Sequence, residues 1–162
     1  MSDHHDVETL TARSGGAAFA DAGRLLHDFN REYDEPSPPP EELAARLGEL
    51  VDEGQVVVLL VRDREDGGAV GVAVMRLQPS VWSRGQEAYL AELYFVPGRR
   101  GHGYGRALIT KAMRVARAAG ADYALVVTSE EDRLAQRLYE AAGFRRTEGE
   151  GGPLMLAYER DL

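Results

Sequence analysis

Residues 89–119, YLAELYFVPGRRGHGYGRALITKAMRVARAA, carry the strongest chemical signal in the chain. Gly101, Gly103 and Gly105 alternate where an apolar strand pattern gives way to a helical one. Arg99 and Arg100 stand just before them and Arg106 just after. Glycine lets a backbone turn sharply and approach a ligand closely. A helix that opens from such a turn directs unpaired N–H groups at whatever lies in front of it. The flanking arginines suit an anion, a phosphate or pyrophosphate. Just upstream, Glu92 interrupts an apolar strand. A carboxylate there is either paired with an arginine or held at a cleft with a raised pKa, where it would serve as a base. Alternation puts Glu92, Tyr94 and Val96 on one face of that strand and Leu93 and Phe95 on the other.

The elements that must position these groups follow from periodicity and breakers. A weakly alternating strand is expected over 7–13, broken by Ser14, Gly15 and Gly16. A helix follows over 17–33, with Leu25, Leu26 and Phe29 at helical spacing. Residues 34–40, DEPSPPP, cannot continue it, because proline removes the helical donor. A second helix over 41–53 shows Leu43, Leu47, Leu50 and Val51 on one face. Glu32, Asp34, Glu35, Glu41 and Glu42 flank the turn between them, either as a solvated loop or as an acidic rim facing substrate. Strands over 55–62 and 69–77 form a hairpin through DREDGG. The loop 78–86 holds Trp82, a packing plug or a ligand contact. The strand carrying Glu92 spans 88–96, the long helix 103–119, and a buried strand 123–128. Strand, helix and strand make a parallel crossover. That puts the glycine turn at the carboxyl end of the first strand, where open α/β sheets bind ligands. A last helix over 132–142, capped by Asp132, precedes two closing strands at 144–146 and 154–160. His4, His5 and Asp6 read as a metal site or as a polar terminus; residues 1–6 are taken as the latter.

Composition bounds the function. A chain of 162 residues suits one domain, 1–162, with a sizeable core. The net charge of −8 argues against nucleic acid as a partner. The longest strongly apolar run, 56–61, is too short to cross a membrane. Residues 1–13 lack a signal-peptide pattern, so a cytoplasmic protein is expected. There is no cysteine, which excludes disulfides, thiolate metal sites and a cysteine nucleophile. No metal is expected.

Two phosphate-binding motifs fail on the glycines. Gly98 and Gly103 have P-loop spacing, but Tyr104 and Gly105 stand where lysine and serine or threonine are required. The dinucleotide fingerprint wants a small residue where Arg106 or Leu108 stands. A third pattern fits: Arg100-x-x-Gly103-x-Gly105 resembles the acyl-CoA pyrophosphate loop of the GCN5-related N-acetyltransferase (GNAT) superfamily. Residues 91–108, AELYFVPGRRGHGYGRAL, resemble that superfamily's central strand, loop and helix. Residues 132–144, DRLAQRLYEAAGF, resemble its later helix, at matching order and separation.

The resemblance implies an α/β (α+β layered) GNAT fold. Its central sheet would be mixed, mostly antiparallel, of six to seven strands with a splayed parallel pair, flanked by about four helices. It implies an acetyl-CoA-dependent N-acetyltransferase. The pyrophosphate would sit on the backbone of Arg100, Gly101, His102, Gly103, Tyr104, Gly105 and Arg106. The pantetheine arm would pair with Phe95 and Val96. Glu92 matches a catalytic glutamate, the base for the acceptor amine, and Tyr139 matches the tyrosine that protonates the leaving thiolate. Acetyl transfer would be direct, in a ternary complex. Asp132 departs from a common asparagine, and its charge suits a helix cap better than a cofactor contact. The acceptor, a small-molecule or peptide amine, is expected near Tyr33, Glu35 and Trp82. A homodimer accords with the superfamily's habit. Two alternatives stay open: a non-catalytic acyl-CoA sensor, and an acyltransferase with a longer donor or a protein N-terminus as acceptor.

Overall fold

The computed structural model describes residues 5–162. They fall into two compact units, one ending at Val126 and the other spanning Val127–Leu162. The first contains β1 (Val7–Thr9), α1 (Gly16–Glu32), α2 (Pro40–Asp52), β2 (Val56–Arg62), β3 (Ala69–Pro79), β4 (Gln86–Phe95), a 3-10 turn (Pro97–Arg99), α3 (Tyr104–Ala118) and β5 (Ala121–Val126). The strands form one sheet in the order β1-β2-β3-β4-β5. Pairing is antiparallel as far as β4 and parallel between β4 and β5, with α3 as the crossover.

Each face of this sheet is covered for a reason written in the strands. Alternate side chains project to opposite faces. Val58, Leu60, Val72, Val74 and Tyr94 pack with Ala22 and Leu25 of α1 and Leu47 of α2. Gly71 sits so close to α3 that an added Cβ would lie 3.1 Å from Leu108 Cδ1 and 2.8 Å from Val61 Cγ1. The helix pair is equally tight: a Cβ on Gly23 would lie 2.4 Å from the Pro40 carbonyl oxygen and 2.7 Å from Ala44 N. Both are backbone atoms, which cannot rotate away. Gly23→Ala is therefore expected to lose about 1–3 kcal/mol of stability by overpacking, read as a lowered thermal midpoint.

One irregularity in β4 matters later. Val74 pairs with Glu92, but Met75 pairs with Leu90, so Ala91 is an extra residue, a β-bulge. Upstream of it the alternation flips. Leu90 shares a face with Met75, whereas Glu92 and Tyr94 share the α1/α2 face with Val74 and Val72. β5 pairs with β4 only from Gln86 to Leu90. Residues 91–95 thus have β3 on one side and no β5 partner on the other.

The second unit contains α4 (Arg133–Ala141) and a turn closed by a single bridge, Thr147 with Leu154. The sheet therefore has five strands, not the six to seven expected. Among the described residues, the segments read as closing strands are joined by that bridge and by two flanking bonds, Met155 N–H to the Arg146 carbonyl and Glu148 N–H to the Pro153 carbonyl. Glycine-rich sequence explains this locally. Gly149 and Gly151 both take positive φ, and Pro153 has no donor for a ladder. Beyond the bridge, Leu156 and Tyr158 are exposed. No helix among the described residues is long and apolar enough to cross a membrane.

Candidate active site

The glycine turn is built as its sequence demands. Gly101 and Gly103 both have φ of +84°, where a side chain is strained. Gly103 is the N-cap of α3 and offers no side-chain bond to the helix. The first helical bond is from Ala107 N–H to the Gly103 carbonyl. The N–H groups of Tyr104, Gly105 and Arg106 thus have no acceptor within the helix, and the helix dipole adds partial positive charge there. A Cβ on Gly101 would meet nothing within 4 Å, so the outer side of the turn is open. Gly105 is buried in the first turn of α3. An open turn, free N–H groups and an unpaired stretch at the end of β4 fit an extended ligand with an anionic end.

The arginines read as facing the anion are otherwise engaged. Arg99 pairs with Asp63 at 3.0 Å and with Asp66 at 3.5 Å. Arg100 pairs with Glu32 at 2.7 Å. Arg106 forms no ion pair among the described residues and is exposed on the first turn. The acids come from α1 and from the β2–β3 turn, which no local pattern links to residues 99–100. Asp63 is the key member. Only 4% exposed, it accepts from Glu65 N–H at 2.7 Å and from the Tyr104 hydroxyl at 2.9 Å. Those two bonds, with Arg99 and the Asp66 N–H, outweigh burial and hold its carboxyl below the ordinary 3.8. Burial first, and then the Asp63 carboxylate, raises the Tyr104 phenol. A carboxyl whose folded pKa is depressed contributes stability above its unfolded pKa and loses it as pH falls. Asp63→Asn should lower the thermal midpoint at neutral pH, and the gap from the unaltered protein should close as pH drops below 3.8.

Glu92 lies on the α1/α2 face, opposite Val74. Burial raises its carboxyl above the ordinary 4.5, and the Arg76 charge only partly opposes this. Of the two sequence readings, pairing with arginine and a raised pKa, the second dominates. Two residues on, Tyr94 is buried against α1, its ring stacked on Phe29 with centroids 5.3 Å apart. The Glu32 carboxylate lies beside its hydroxyl. Burial, then the Glu32 and Asp28 charges, push that phenol up to about 12. Phe29 also meets Tyr33 edge-on at 5.5 Å. An aromatic row therefore leads from the α1–α2 turn to the face that carries Glu92.

Other candidate residues fall into separate places. Glu35 lines a shallow depression with Arg31, Asp34 and Pro36. That turn is fixed by Asn30 Nδ2–H to the Pro36 carbonyl and by His27 Nδ1 near Ser37 Oγ and the Pro38 carbonyl. Phe95 ends β4 and Val96 follows it, its N–H bonding the Val70 carbonyl. Trp82 is 90% exposed at the β3–β4 tip. That tip precedes Gln86, six residues from Glu92 and so about 20 Å away along the strand. The structure does not bring Trp82 to Glu92. In the second unit, Asp132 Oδ1 accepts from Ala135 N–H at 2.9 Å, the cap its sequence position suggested. Tyr139 is buried, with its ring 6.0 Å from Phe144 in an edge-on arrangement.

Sequence reasoning missed the partners that Asp63, Glu32, Tyr94 and His5 find in the fold. Asp63 and Glu32 look like ordinary turn and helix-end acids, and only topology pairs them with Arg99 and Arg100. His5 was read with the terminus, yet its ring packs on Tyr104 with centroids 4.2 Å apart. His4 lies outside the described residues, among which no group of three or more potential ligands could hold a metal.

Comparisons with known proteins accord with this geometry. Residues 22–144 match the Acetyltransferase (GNAT) family. The sequence is 35% identical over 114 residues to a mycothiol acetyltransferase of Beutenbergia cavernae, covering 65% of this chain but only 36% of that relative's length. A presumed acetyltransferase of Arthrobacter sp. FB24 superposes with a TM-score of 0.84 at 38% identity, covering 100% of this chain and 99% of that one. An aminoglycoside acetyltransferase from an uncultured soil metagenomic sample, solved with sisomicin, shares the fold at a TM-score of 0.76 and 16% identity, covering 99% and 97% of the two chains.

Proposed function

The chain belongs to the acetyltransferase (GNAT) family, and from that premise we propose that it moves the acetyl group of acetyl-CoA directly to a primary amine. The observation that carries this reading is the pairing of an open glycine turn at the start of α3 with a half-buried carboxyl of raised pKa on the strand leading into it. Acetyl-CoA would supply an acetyl thioester. Its pyrophosphate would be held by the N–H groups of the turn 100–106, that of Arg100 excepted because it bonds the Pro97 carbonyl, and its pantetheine would run along Phe95 and Val96, where β4 has no β5 partner. Bonds to a charged group are worth roughly 1.5–3 kcal/mol each.

An alkylammonium has no lone pair, so the acceptor must first lose a proton. Glu92 takes it, directly or through a water, and a carboxylate with a raised pKa is a better base near neutral pH. As the C–N bond forms and the C–S bond breaks, the leaving sulfur would take a proton from the tyrosine that the family resemblance assigns to Tyr139, and the second proton shed by the new amide nitrogen would restore that phenol. Backbone N–H groups at the end of β4 polarise the carbonyl. The acceptor is a small-molecule or peptide amine approaching from the α1–α2 turn, where Tyr33, Glu35 and the acidic depression lie. Trp82, at the far end of β4, is left outside that site.

The test is release of CoA thiol with polyamines, aminoglycosides, amino acids and peptide N-termini. With no cysteine in the chain, all thiol detected is CoA. Turnover with one acceptor class, lowered in Tyr139→Phe by about 10²-fold as expected for a lost general acid, supports the reading. CoA binding without acetylation of any amine replaces the enzyme with a sensor.

A further inference from the structure

We propose that His5 is a positioning residue for the cofactor turn: residues 5–6, leading into β1, are a strap that aims the turn's N–H groups. This rests on the acetyl-CoA reading above. Register brings the strap there. Val7 pairs with Val61, so His5 and Asp6, just before β1, run beside the end of β2. Asp63, just past that end, holds the Tyr104 hydroxyl, and the Tyr104 ring is the surface on which His5 lies, tilted by 41°. A Cβ on Gly103 would come 3.3 Å from His5 Nε2, so the imidazole lies against the left-handed residue of the turn.

His5 Nε2 is 2.7 Å from the His102 carbonyl oxygen. A carbonyl only accepts, so the proton is on Nε2 and this N–H donates. His5 Nδ1 is buried and has no hydrogen-bond partner among the described residues. The bond has a consequence across the peptide. In a trans peptide the C=O and N–H point in opposite directions. Pulling the His102 carbonyl toward His5 therefore turns the Gly103 N–H away from His5, to the other side of the turn. His102 acts the same way one step earlier. Its Nδ1 lies 3.1 Å from both the Arg99 and the Arg100 carbonyls. Holding the Arg100 carbonyl fixes the direction of the Gly101 N–H. The two histidines preset N–H directions that glycine, with its backbone freedom, would otherwise leave loose.

His5 has no place in the proton transfers, so its loss should act on cofactor binding and not on the chemical step. The experiment measures the Kd for CoA by calorimetry on the cofactor-free protein, together with KM and kcat for acetyl-CoA. His5→Ala should raise Kd and KM about tenfold, the effect of roughly one net hydrogen bond, with kcat at saturation unchanged. His5→Gln carries an N–H at the position of Nε2 and should recover most of the loss. An unchanged Kd in His5→Ala overturns the proposal, as does a fall in kcat without a change in Kd. Equal weakening by Ala and Gln overturns it too, because ring packing and not the N–H would then hold the turn. Unaltered protein that binds no CoA overturns both this proposal and the acetyltransferase reading.

Discussion

Glu92→Gln is expected to lower kcat by about 10²–10⁴-fold, the usual contribution of a general base, while leaving the KM for acetyl-CoA nearly unchanged. The amide keeps the size and polarity of the side chain but cannot accept the amine's proton. The pH profile gives a second check. Glu92 works as the carboxylate, so the rate of the unaltered protein should climb as pH rises through its pKa. Burial places that limb above the ordinary 4.5. The limb should vanish in the amide variant. Stability should move the other way. A carboxyl whose folded pKa is raised favours the fold below its unfolded pKa, and that contribution is lost as pH rises through the folded value. At neutral pH the unaltered protein therefore holds a carboxylate that burial disfavours. Glu92→Gln should be at least as stable there, by thermal midpoint, as the protein it came from. Retained turnover would remove Glu92 from the mechanism; a marked loss of stability would make it a structural residue.

Gly103→Val should weaken CoA binding by more than about 100-fold. Two costs add. Gly103 holds φ at +84°, where a non-glycine residue costs roughly 1–2 kcal/mol and a β-branched one is an outlier. Its Cβ would also lie 3.3 Å from His5 Nε2, and the two further carbons of valine would displace that ring and release the His102 carbonyl. Gly101→Ala is the matched control. It has the same φ but open space around its Cβ. It should pay only the backbone cost, a loss of about tenfold. Calorimetric titration with CoA, alongside circular dichroism to confirm folding, separates the two. Equal effects at the two positions would mean that His5 does not support the turn.

Much of the fold was legible because its signals are local. Helical spacing in 17–33 and 41–53, the valine-rich hairpin and the breaker at 34–40 each need only their own residues, and the elements fall within a few residues of expectation. The closing strands were not legible. Alternation in 154–160 promises a strand only if a partner is offered, and Gly149, Gly151 and Pro153 leave just one bridge. The bulge at Ala91 was invisible for a related reason: an extra residue in a strand shows only against the partner's register.

For the candidate site, the sequence alone determined the glycine turn and the helix start behind it. A requirement for positive φ is a property of single residues, and alternate glycines before an amphipathic stretch meet it without outside help. Tertiary structure decided the rest. Whether Glu92 is neutralised by arginine or raised by burial depends on what packs over its face of β4, and that is α1, with the Arg76 charge too weak to offset burial. Whether Arg99 and Arg100 wait for an anion or are held already depends on Asp63 and Glu32, brought from dozens of residues away. His5 joins the turn only because β1 pairs with β2. Electrostatics and burial act through space, whereas a motif records only neighbours along the chain.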